Sequence, residues 1–237
     1  RLTVTATNYD AVAFIAEQPG QTPDWGYNPG LDVQSPTLTV TGSTVRVYLD
    51  HVQLRDNLSA LHGVGVRCED GRLDIRRSRI GRNNGGGIEA LGQCEIFVQN
   101  SFIGNTSPFM SALRVADASV TAVILYTTLG AHESALLCSN GGPNVSVRNS
   151  ILVSTSLLSQ EVDCMNATLT TNATEVDGLG NMSTNWFEDY DFGDFHLTDE
   201  APEGTRIADW QPGDPITDID GNFRVTDQLH FAGADVP

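Results

Sequence analysis

The sequence repeats a short apolar pattern about every two dozen residues, and this repeat constrains the fold more than any other feature. Five ten-residue segments align without gaps, and their first, third and eighth positions are all apolar. The segments span residues 45–54, 73–82, 96–105, 122–131 and 145–154. Successive eighth positions lie 23 to 28 residues apart, a period typical of solenoids. Within each segment, alternation of apolar and polar residues predicts a strand with one face in a core.

A second apolar series shows that each coil holds at least two strands and two bends. Its members are Val66, Ile88, Leu113 and Leu136. A sandwich of hairpins would show two-residue turns between antiparallel strands, which this spacing does not provide. We therefore predict an all-β fold, a right-handed parallel β-helix in which equivalent side chains stack about 4.8 Å apart.

Two further columns of the repeat make local predictions. The sixth position is polar throughout and predicts a buried ladder at a corner, where side chains satisfy backbone groups. Its members are Asp50, Ser78, Ser101, Thr127 and Ser150. The ninth position holds glycine in three segments and predicts a bend with positive φ. Those glycines are Gly81, Gly104 and Gly130.

Charge divides the chain into two regions. The repeat stops after Asn172, and residues 176–237 contain 14 acidic residues and 2 arginines. We predict a solenoid over residues 1–175 and an irregular acidic C-terminal extension over residues 176–237 that packs on it. Within the solenoid, residues 18–36, which include Trp25 and Tyr27, are predicted to form a long loop.

Composition excludes several classes of function. The formal net charge is −17, and all 13 basic residues are arginine. This balance argues against nucleic-acid binding, which needs clustered positive charge. The lack of lysine excludes Schiff-base chemistry, a pyridoxal-phosphate lysine and a Walker A loop. No apolar run reaches the length of a membrane span, and Arg1 does not begin a signal peptide, so we expect a processed chain without a membrane-spanning segment.

Four cysteines form two pairs with equal spacing. Cys68 and Cys138 each follow an inward apolar position by two residues, and Cys94 and Cys164 each come 26 residues later. Because that separation is about one coil, the coils would bring each pair within disulfide distance. We predict the bridges Cys68–Cys94 and Cys138–Cys164, and hence an extracellular or cell-surface location. Metal ligation is the alternative, although the sequence has no Cys-x-x-Cys motif.

The C-terminal region carries motifs that resemble a known family. The motifs are Asp194-Phe195-His196-Leu197, Pro202, Ile207-Ala208-Asp209, the run Thr-Asp-Ile-Asp-Gly-Asn-Phe-Arg at 217–224, and Gly233-Ala234-Asp235. With the Asn-Ser pairs at 100–101 and 149–150, the chain resembles the pectin-lyase-like right-handed β-helix superfamily, and its tail resembles the bacterial choice-of-anchor Q proteins. The chain departs from that family in the stretched segment 201–209 and in the final Val236-Pro237. The resemblance implies a secreted or surface-anchored β-helix and does not name a reaction.

The resemblance also implies where catalysis would lie, on the outward face of one sheet. A lyase needs carboxylates that hold Ca²⁺ and a base, and a hydrolase needs paired carboxylates. The outward second and fourth positions of the segments supply one carboxylate, Asp74, and His62-Gly63 is a fragment of one hydrolase signature. We therefore predict no catalytic residues and a non-catalytic scaffold for adhesion or for binding a polysaccharide or a surface protein. The alternative is a lyase or glycoside hydrolase acting on acidic polysaccharide.

An exposed apolar patch is predicted on that same face. Tyr48, Phe97, Val123 and Leu125 occupy outward positions on nearby coils, and exposed patches of this kind mark contacts. A partner or ligand is one occupant of this patch. The other is the acidic extension itself, through its aromatic run of Trp186, Phe187, Tyr190, Phe192 and Phe195.

A calcium site is the remaining candidate. Asp218, Asp220 and Asn222 alternate around Gly221 like part of a calcium-binding loop. The third acidic position and the distal glutamate of an EF-hand are missing, so a simple turn is the competing interpretation.

Overall fold

The structure is a computed structural model that describes residues 2–5, 12–15, 38–55, 64–105, 110–142, 144–156, 159–174, 184–201 and 203–236. The predicted loop over residues 18–36, with Trp25 and Tyr27, lies outside the described residues, as do His62, Gly63 and Pro202.

The described residues form short strands and three single-turn 3-10 helices. In chain order, the strands are β1 (Leu2–Thr5), β2 (Val12–Ile15), β3 (Leu38–Thr41), β4 (Arg46–Asp50), β5 (Gln53–Arg55), β6 (Val66–Arg76), β7 (Arg79–Gly81), β8 (Ile88–Gln99), β9 (Phe102–Asn105), β10 (Leu113–Val115), β11 (Thr121–Leu125), β12 (Thr128–Ala131), β13 (Leu136–Cys138), β14 (Val145–Arg148), β15 (Ile151–Ser154), β16 (Val162–Asp163), β17 (Thr168–Thr170), β18 (Phe187–Asp189) and β19 (Asp194–Leu197). The 3-10 helices are Thr184–Trp186, Tyr190–Phe192 and Glu203–Thr205.

Parallel pairing stacks β1 to β17 into three sheets around one core. The first sheet contains β1, β3, β10, β13, β16 and the first halves of β6 and β8. The second contains β2, β4, β11, β14, β17 and the second halves of β6 and β8, and the third contains β5, β7, β9, β12 and β15. The pairing of β6 with β8 shifts between Glu69 and Gly71, where the strand passes from one sheet to the next. This is the all-β parallel solenoid that the repeat predicts.

The strand register confirms the alignment of the last four segments and corrects that of the first. Leu73, Ile96, Ala122 and Val145 pair in one row, as predicted. In the first segment, however, Val47 pairs with Leu73, two residues later than the predicted Val45. A shift of two keeps every side chain on the same face, so apolar alternation by itself cannot fix this register.

The polar ladder lies where the second sheet turns into the third. Its buried members are Ser78, Ser101, Thr127 and Ser150. Ser101 Oγ accepts a hydrogen bond from Ser78 N at 3.2 Å and donates to Gln99 O at 2.8 Å, so it joins its own coil to the one before. The ladder is thus confirmed, except that Val52 replaces Asp50 because of the register shift. Asp50 faces outward and pairs with Arg77.

The C-terminal segment, residues 184–201 and 203–236, packs on the outer face of the third sheet. From the segment, Phe187, Tyr190, Phe195, Leu197, Ala232 and Ala234 are buried, and from the solenoid Phe102, Tyr126, Ile151 and Val153 join the same cluster. Tyr190 donates its hydroxyl hydrogen to Ala131 O at 2.7 Å. Of the four patch residues, Leu125 belongs to this cluster. The segment thus lies on a different sheet from most of the patch, and the predicted boundary after residue 175 stays a prediction.

Two corner asparagines bind the segment through their side chains. Asn149 Nδ2 donates to Asp209 O at 2.9 Å, and Asp209 N donates to Asn149 Oδ1 at 3.1 Å. Asn100 Nδ2 donates to Thr217 O at 2.6 Å, and its Oδ1 accepts from Arg224 at 3.1 Å. Burial lowers the pKa of Arg224 to about 10, and its guanidinium lies 4.4 Å from the centre of the Tyr126 ring.

The three glycines of the ninth column have a different role from the predicted one. Gly81, Gly104 and Gly130 lie within strands, and none of them has a positive φ. A Cβ atom on Gly104 or Gly130 would lie 2.5 Å from Cζ of Phe195, whereas on Gly81 its nearest neighbour would be Gly104 O at 3.5 Å. The second and third glycines therefore make room for an aromatic ring.

This contact predicts different effects for one substitution at equivalent positions. We expect Gly104→Ala and Gly130→Ala each to lower the free energy of unfolding by about 1–3 kcal/mol, because Phe195 is buried among other rings and cannot move aside. Gly81→Ala is the matched control and should change it by less than about 0.5 kcal/mol. Urea unfolding measures all three, and equal stability of Gly104→Ala and the wild type would contradict the packing of Phe195.

The two predicted cysteine pairs are confirmed at disulfide distance. The Cα atoms of Cys68 and Cys94 are 6.0 Å apart, and those of Cys138 and Cys164 are 4.7 Å apart. Each bridge joins residues separated by 26 positions and therefore connects successive coils.

Each bridge should stabilise its own pair of coils independently. Replacing both cysteines of one pair with alanine should lower the free energy of unfolding by about 3 kcal/mol, because the chain-entropy model gives that value for loops of this length. Since coils contact only their neighbours, the two losses should add. Unfolding curves without reductant test the stability, and peptide mapping without reductant tests the pairing. A Cys68–Cys138 peptide would contradict the coil alignment.

Candidate functional site

The outer face of the second sheet carries the predicted apolar patch. In the corrected register, Tyr48, Asp74, Phe97 and Val123 occupy one row across four coils. Val123 is 38% exposed, and Tyr48 and Phe97 are partly buried. Leu125, at 8% exposure, lies in the next row, beside the C-terminal segment. The structure thus leaves three of the four predicted residues accessible together. We call the row that holds Tyr48, Phe97 and Val123 the aromatic row.

Arginines flank the aromatic row. The guanidinium carbon of Arg76 lies 5.8 Å from the centre of the Phe97 ring. Arg46 is on the same strand as Tyr48, and both Arg46 and Arg76 are exposed. Among the described residues, neither guanidinium forms an ion pair with a carboxylate. This face therefore presents positive charge beside aromatic rings in a strongly acidic protein.

Two carboxylates of this face are already paired. Asp74 is buried, and Arg72 donates to its two oxygens at 2.8 and 3.0 Å. Arg77 holds Asp50 in the same two-bond way, with Nε 2.9 Å from Oδ1. Asp74 is therefore inaccessible to a substrate, and Asp50, although partly exposed, is held by an arginine on both oxygens, so neither is a free acid or base. Glu95 is exposed and lines a groove of about 440 Å³ with Arg46, Arg72, Ser119 and Thr121.

A second cluster of charged groups lies where the C-terminal segment meets β7. His196 contacts Asp194 through Nδ1, and its Nε2 lies 2.7 Å from Asp220 and 3.1 Å from Arg79. Burial disfavours the charged imidazole, but the hydrogen bonds to Asp194 and Asp220 outweigh it and raise the pKa of His196 to about 10. The same bonds lower the pKa of both aspartates. His196 is therefore a fixed imidazolium at neutral pH and a poor general base.

Metal binding at this cluster competes with the ion pairs. His196, Asp220 and Asp235 each offer a ligand atom, and these atoms lie within 4.8 Å of one another. A cation at Nε2 would lie beside the guanidinium of Arg79, and Asp235 already accepts a hydrogen bond from Leu197 N at 2.7 Å. The arrangement favours an ion-pair network over a metal site.

The predicted calcium residues form a turn. Asp218 is buried, and its Oδ1 accepts hydrogen bonds from Asp220 N at 2.9 Å and Asn222 N at 2.8 Å. Its Oδ2 accepts from Asn222 Nδ2 at 3.0 Å and from Val236 N at 3.3 Å. Asp220 points to His196. The carboxylate oxygens that would bind Ca²⁺ thus accept hydrogen bonds from the protein itself. Of the two interpretations, this arrangement favours the turn.

Sequence reasoning missed Arg79 and the role of His196. His196 belongs to the motif at 194–197, but neither that motif nor the repeat indicates a role for His196 or for Arg79. Their contact joins positions 117 residues apart, so the repeat gave no signal for it. Phe102 and Ile151, two outward apolar residues in a row that also holds Arg79 and Thr128, are the only sign in the repeat that the C-terminal segment packs there.

In comparisons with protein-family models, curated proteins and solved structures, no match to this chain was found. They give no support to the specific choice-of-anchor Q assignment, while the stacked parallel sheets are consistent with a β-helix superfamily. In the described part of the chain, no helix has the length and apolarity needed to cross a bilayer.

The charge of His196 predicts a pH dependence of stability. Because its folded pKa lies above the unfolded value of 6.5, the stabilisation is complete below pH 6.5 and is lost as pH rises toward 10. The melting temperature of the wild type should therefore fall more between pH 6.5 and 9.5 than that of His196→Gln, in which nothing titrates at this position. Parallel slopes for the two proteins would contradict the ion-pair assignment.

Proposed function

We propose that this protein is a non-catalytic scaffold that binds polysaccharide through the outer face of its second sheet. The observation that carries the proposal is the aromatic row of Tyr48, Phe97 and Val123 beside the exposed guanidinium groups of Arg46 and Arg76. Aromatic rings pack on the apolar faces of sugar rings, and guanidinium groups form paired hydrogen bonds with carboxylates. An acidic polysaccharide is the ligand that fits both features.

The geometry of the face also supports binding along an extended chain. Parallel strands repeat about every 4.8 Å, so four coils offer a row of roughly 14 Å between the outermost side chains. The row spans Tyr48, Asp74, Phe97 and Val123. A rigid row of this length can contact several sugar units without ordering itself on binding, which reduces the entropy lost in association.

The alternative function is cleavage of an acidic polysaccharide. Glu95 favours it, because this exposed carboxylate lines the groove beside Arg72. Arg72 is paired with Asp74, and within the described part of the chain Glu95 forms no ion pair. A lone carboxylate can act as a base in proton abstraction. The paired states of Asp50 and Asp74 weigh against a two-carboxylate hydrolase.

We also propose that the chain is secreted or displayed at a cell surface and belongs to the choice-of-anchor Q lineage of pectin-lyase-like β-helices. Two disulfides support an oxidising compartment. The lineage rests on the sequence motifs of residues 194–235. Several of their side chains pack at the junction with the solenoid, among them Phe195 and Arg224.

Binding experiments test the scaffold function directly. We expect polygalacturonate to bind, and Phe97→Ala and Tyr48→Ala each to weaken binding about tenfold, which corresponds to about 1.4 kcal/mol. Phe223→Ala is the matched control, because Phe223 is 78% exposed and lies in the C-terminal segment. Calorimetry measures the affinities, and loss of binding in the control alone would contradict the assigned face.

Product analysis separates the scaffold from the enzyme. Incubation of the wild type with polyuronates and Ca²⁺ should yield no unsaturated or newly reducing ends. Turnover that disappears in Glu95→Gln would replace the scaffold proposal with the lyase alternative.

A further inference from the structure

His230 is a buried histidine at the contact between the C-terminal segment and the solenoid. Its backbone pairs with that of Ala208 through two hydrogen bonds of 3.0 and 3.1 Å. The side chain is 4% exposed, and its ring stacks on that of Tyr126, the solenoid residue that follows β11. The imidazole is therefore enclosed by residues of both the segment and the solenoid.

The hydrogen bonds of the ring favour its neutral form. Nδ1 lies 3.0 Å from Phe231 O, and because a carbonyl oxygen only accepts hydrogen bonds, Nδ1 carries the hydrogen. Nε2 is then an acceptor in the neutral ring, and the Tyr126 hydroxyl donates to it at 3.2 Å. A proton added to Nε2 would remove this acceptor, so the Tyr126 hydroxyl would have to turn its hydrogen elsewhere in a buried site.

A cation already lies beside this pair of rings. The Arg224 guanidinium is 4.4 Å from the centre of the Tyr126 ring, on which His230 also stacks. Arg224 is 4% exposed, so water screens its charge poorly. A protonated His230 would therefore place a second cation against the same aromatic ring.

Two carboxylates of the segment act on the ring in the opposite sense. Asp209 and Asp214 favour the charged imidazole, as does the backbone carbonyl that Nδ1 contacts. Arg148 of the solenoid already holds both oxygens of Asp214, with Nη1 2.7 Å from Oδ2. Burial and the charge of Arg224 outweigh these groups and keep the pKa of His230 below its ordinary value of 6.5.

Three backbone amides beside His230 join the segment to the solenoid. Asp209 N donates to Asn149 Oδ1 at 3.1 Å, and Gly233 N donates to Asn149 O at 2.9 Å. Ala234 N donates to Thr128 Oγ1 at 3.3 Å. The exchange of these three amide hydrogens reports whether this part of the segment is docked.

We propose that His230 is an acid-sensitive switch, whose protonation opens this part of the segment and uncovers the outer face of the third sheet. In the closed form, the charged ring loses the hydrogen bond from Tyr126 and is repelled by Arg224. In the open form, water solvates the imidazolium. This inference does not depend on the proposed polysaccharide face, which lies on the second sheet.

The direction of the pH dependence follows from linkage. Because the pKa of His230 is lower in the closed form than in the open form, its contribution to docking is complete above pH 6.5 and is lost as pH falls. His196 has a raised pKa and changes stability in the opposite direction, mainly above pH 6.5. The two histidines therefore act in different pH ranges.

Hydrogen exchange of the full chain at pH 6.5 and pH 5.0 tests the switch. Rates corrected for the intrinsic pH dependence of amide exchange give the opening constant at Asp209, Gly233 and Ala234. We expect this constant to rise by about threefold to sixteenfold at pH 5.0. The upper limit of roughly sixteenfold applies when only the open form, with its pKa of 6.5, takes up the proton. The amides of Ile96 and Ile124 in the solenoid core should change by less than about twofold.

One histidine substitution removes the switch, and a second one serves as its control. His230→Gln has no titrating group at this position and should lose the acid response. His51→Gln is the matched control, because His51 is partly buried with a lowered pKa but lies at a corner outside the segment, and it should keep the response.

Three results would overturn the inference. They are no rise in the wild type, an equal rise in His230→Gln, and an equal rise at the Ile124 amide, which would indicate global unfolding. An NMR titration of the wild-type histidines gives a test that does not depend on how the variants fold. His230 should titrate below pH 6.5, and titration at or above that value would contradict the switch as well.

Discussion

The corner between the second and third sheets is the constraint on which the rest of the structure depends. At each corner a residue adopts a left-handed backbone with φ between 45° and 55°, and the next residue points inward. The left-handed residues are His51, Arg77, Asn100, Tyr126, Asn149 and Thr171. In coils that carry serine at the inward position, its hydroxyl donates within the coil and accepts from the preceding coil. One side chain thus satisfies backbone groups that the bend leaves buried and unpaired.

The same corner also determines how the C-terminal segment docks. Left-handed residues direct their side chains outward, and Asn100 and Asn149 use theirs to bind the segment at two points that lie two coils apart. Tyr126 lies on the coil between them. The Arg224 guanidinium packs against its ring, and the ring stacks on that of His230 with centroids 5.4 Å apart. The polar contacts lie next to an apolar cluster around Phe195. The interface is therefore stabilised by burial of apolar side chains, and its buried polar groups are hydrogen-bonded.

Docking on one sheet decides which surfaces remain for function. The segment covers the third sheet from β9 to β15 and leaves β5 and β7 partly open, so that Gln53 and Arg79 face Phe192 across a cleft. It touches the second sheet at Leu125 and Arg148, and leaves the aromatic row accessible. The accessibility of the aromatic row therefore follows from the sheet on which the segment packs. The arginines beside that row, Arg46 and Arg76, stand out because the protein carries 30 acidic residues and no lysine.

The sequence by itself determined the parallel solenoid, the polar corner ladder and both cysteine pairs, because each depends on a repeat that places equal residues at equal positions on successive coils. It also placed Tyr48, Phe97 and Val123 on one outward face, although the structure puts Tyr48 in the same row as Phe97 only after the two-residue shift and buries Leu125 beside the segment. Only the tertiary structure decided the register of the first segment, since a two-residue shift preserves the alternation of faces. The sheet covered by the segment, the use of Gly104 and Gly130 as a seat for Phe195, and the contact of Arg79 with His196 were also decided there. These features join residues far apart in the chain that share no repeat, so no periodicity encodes them.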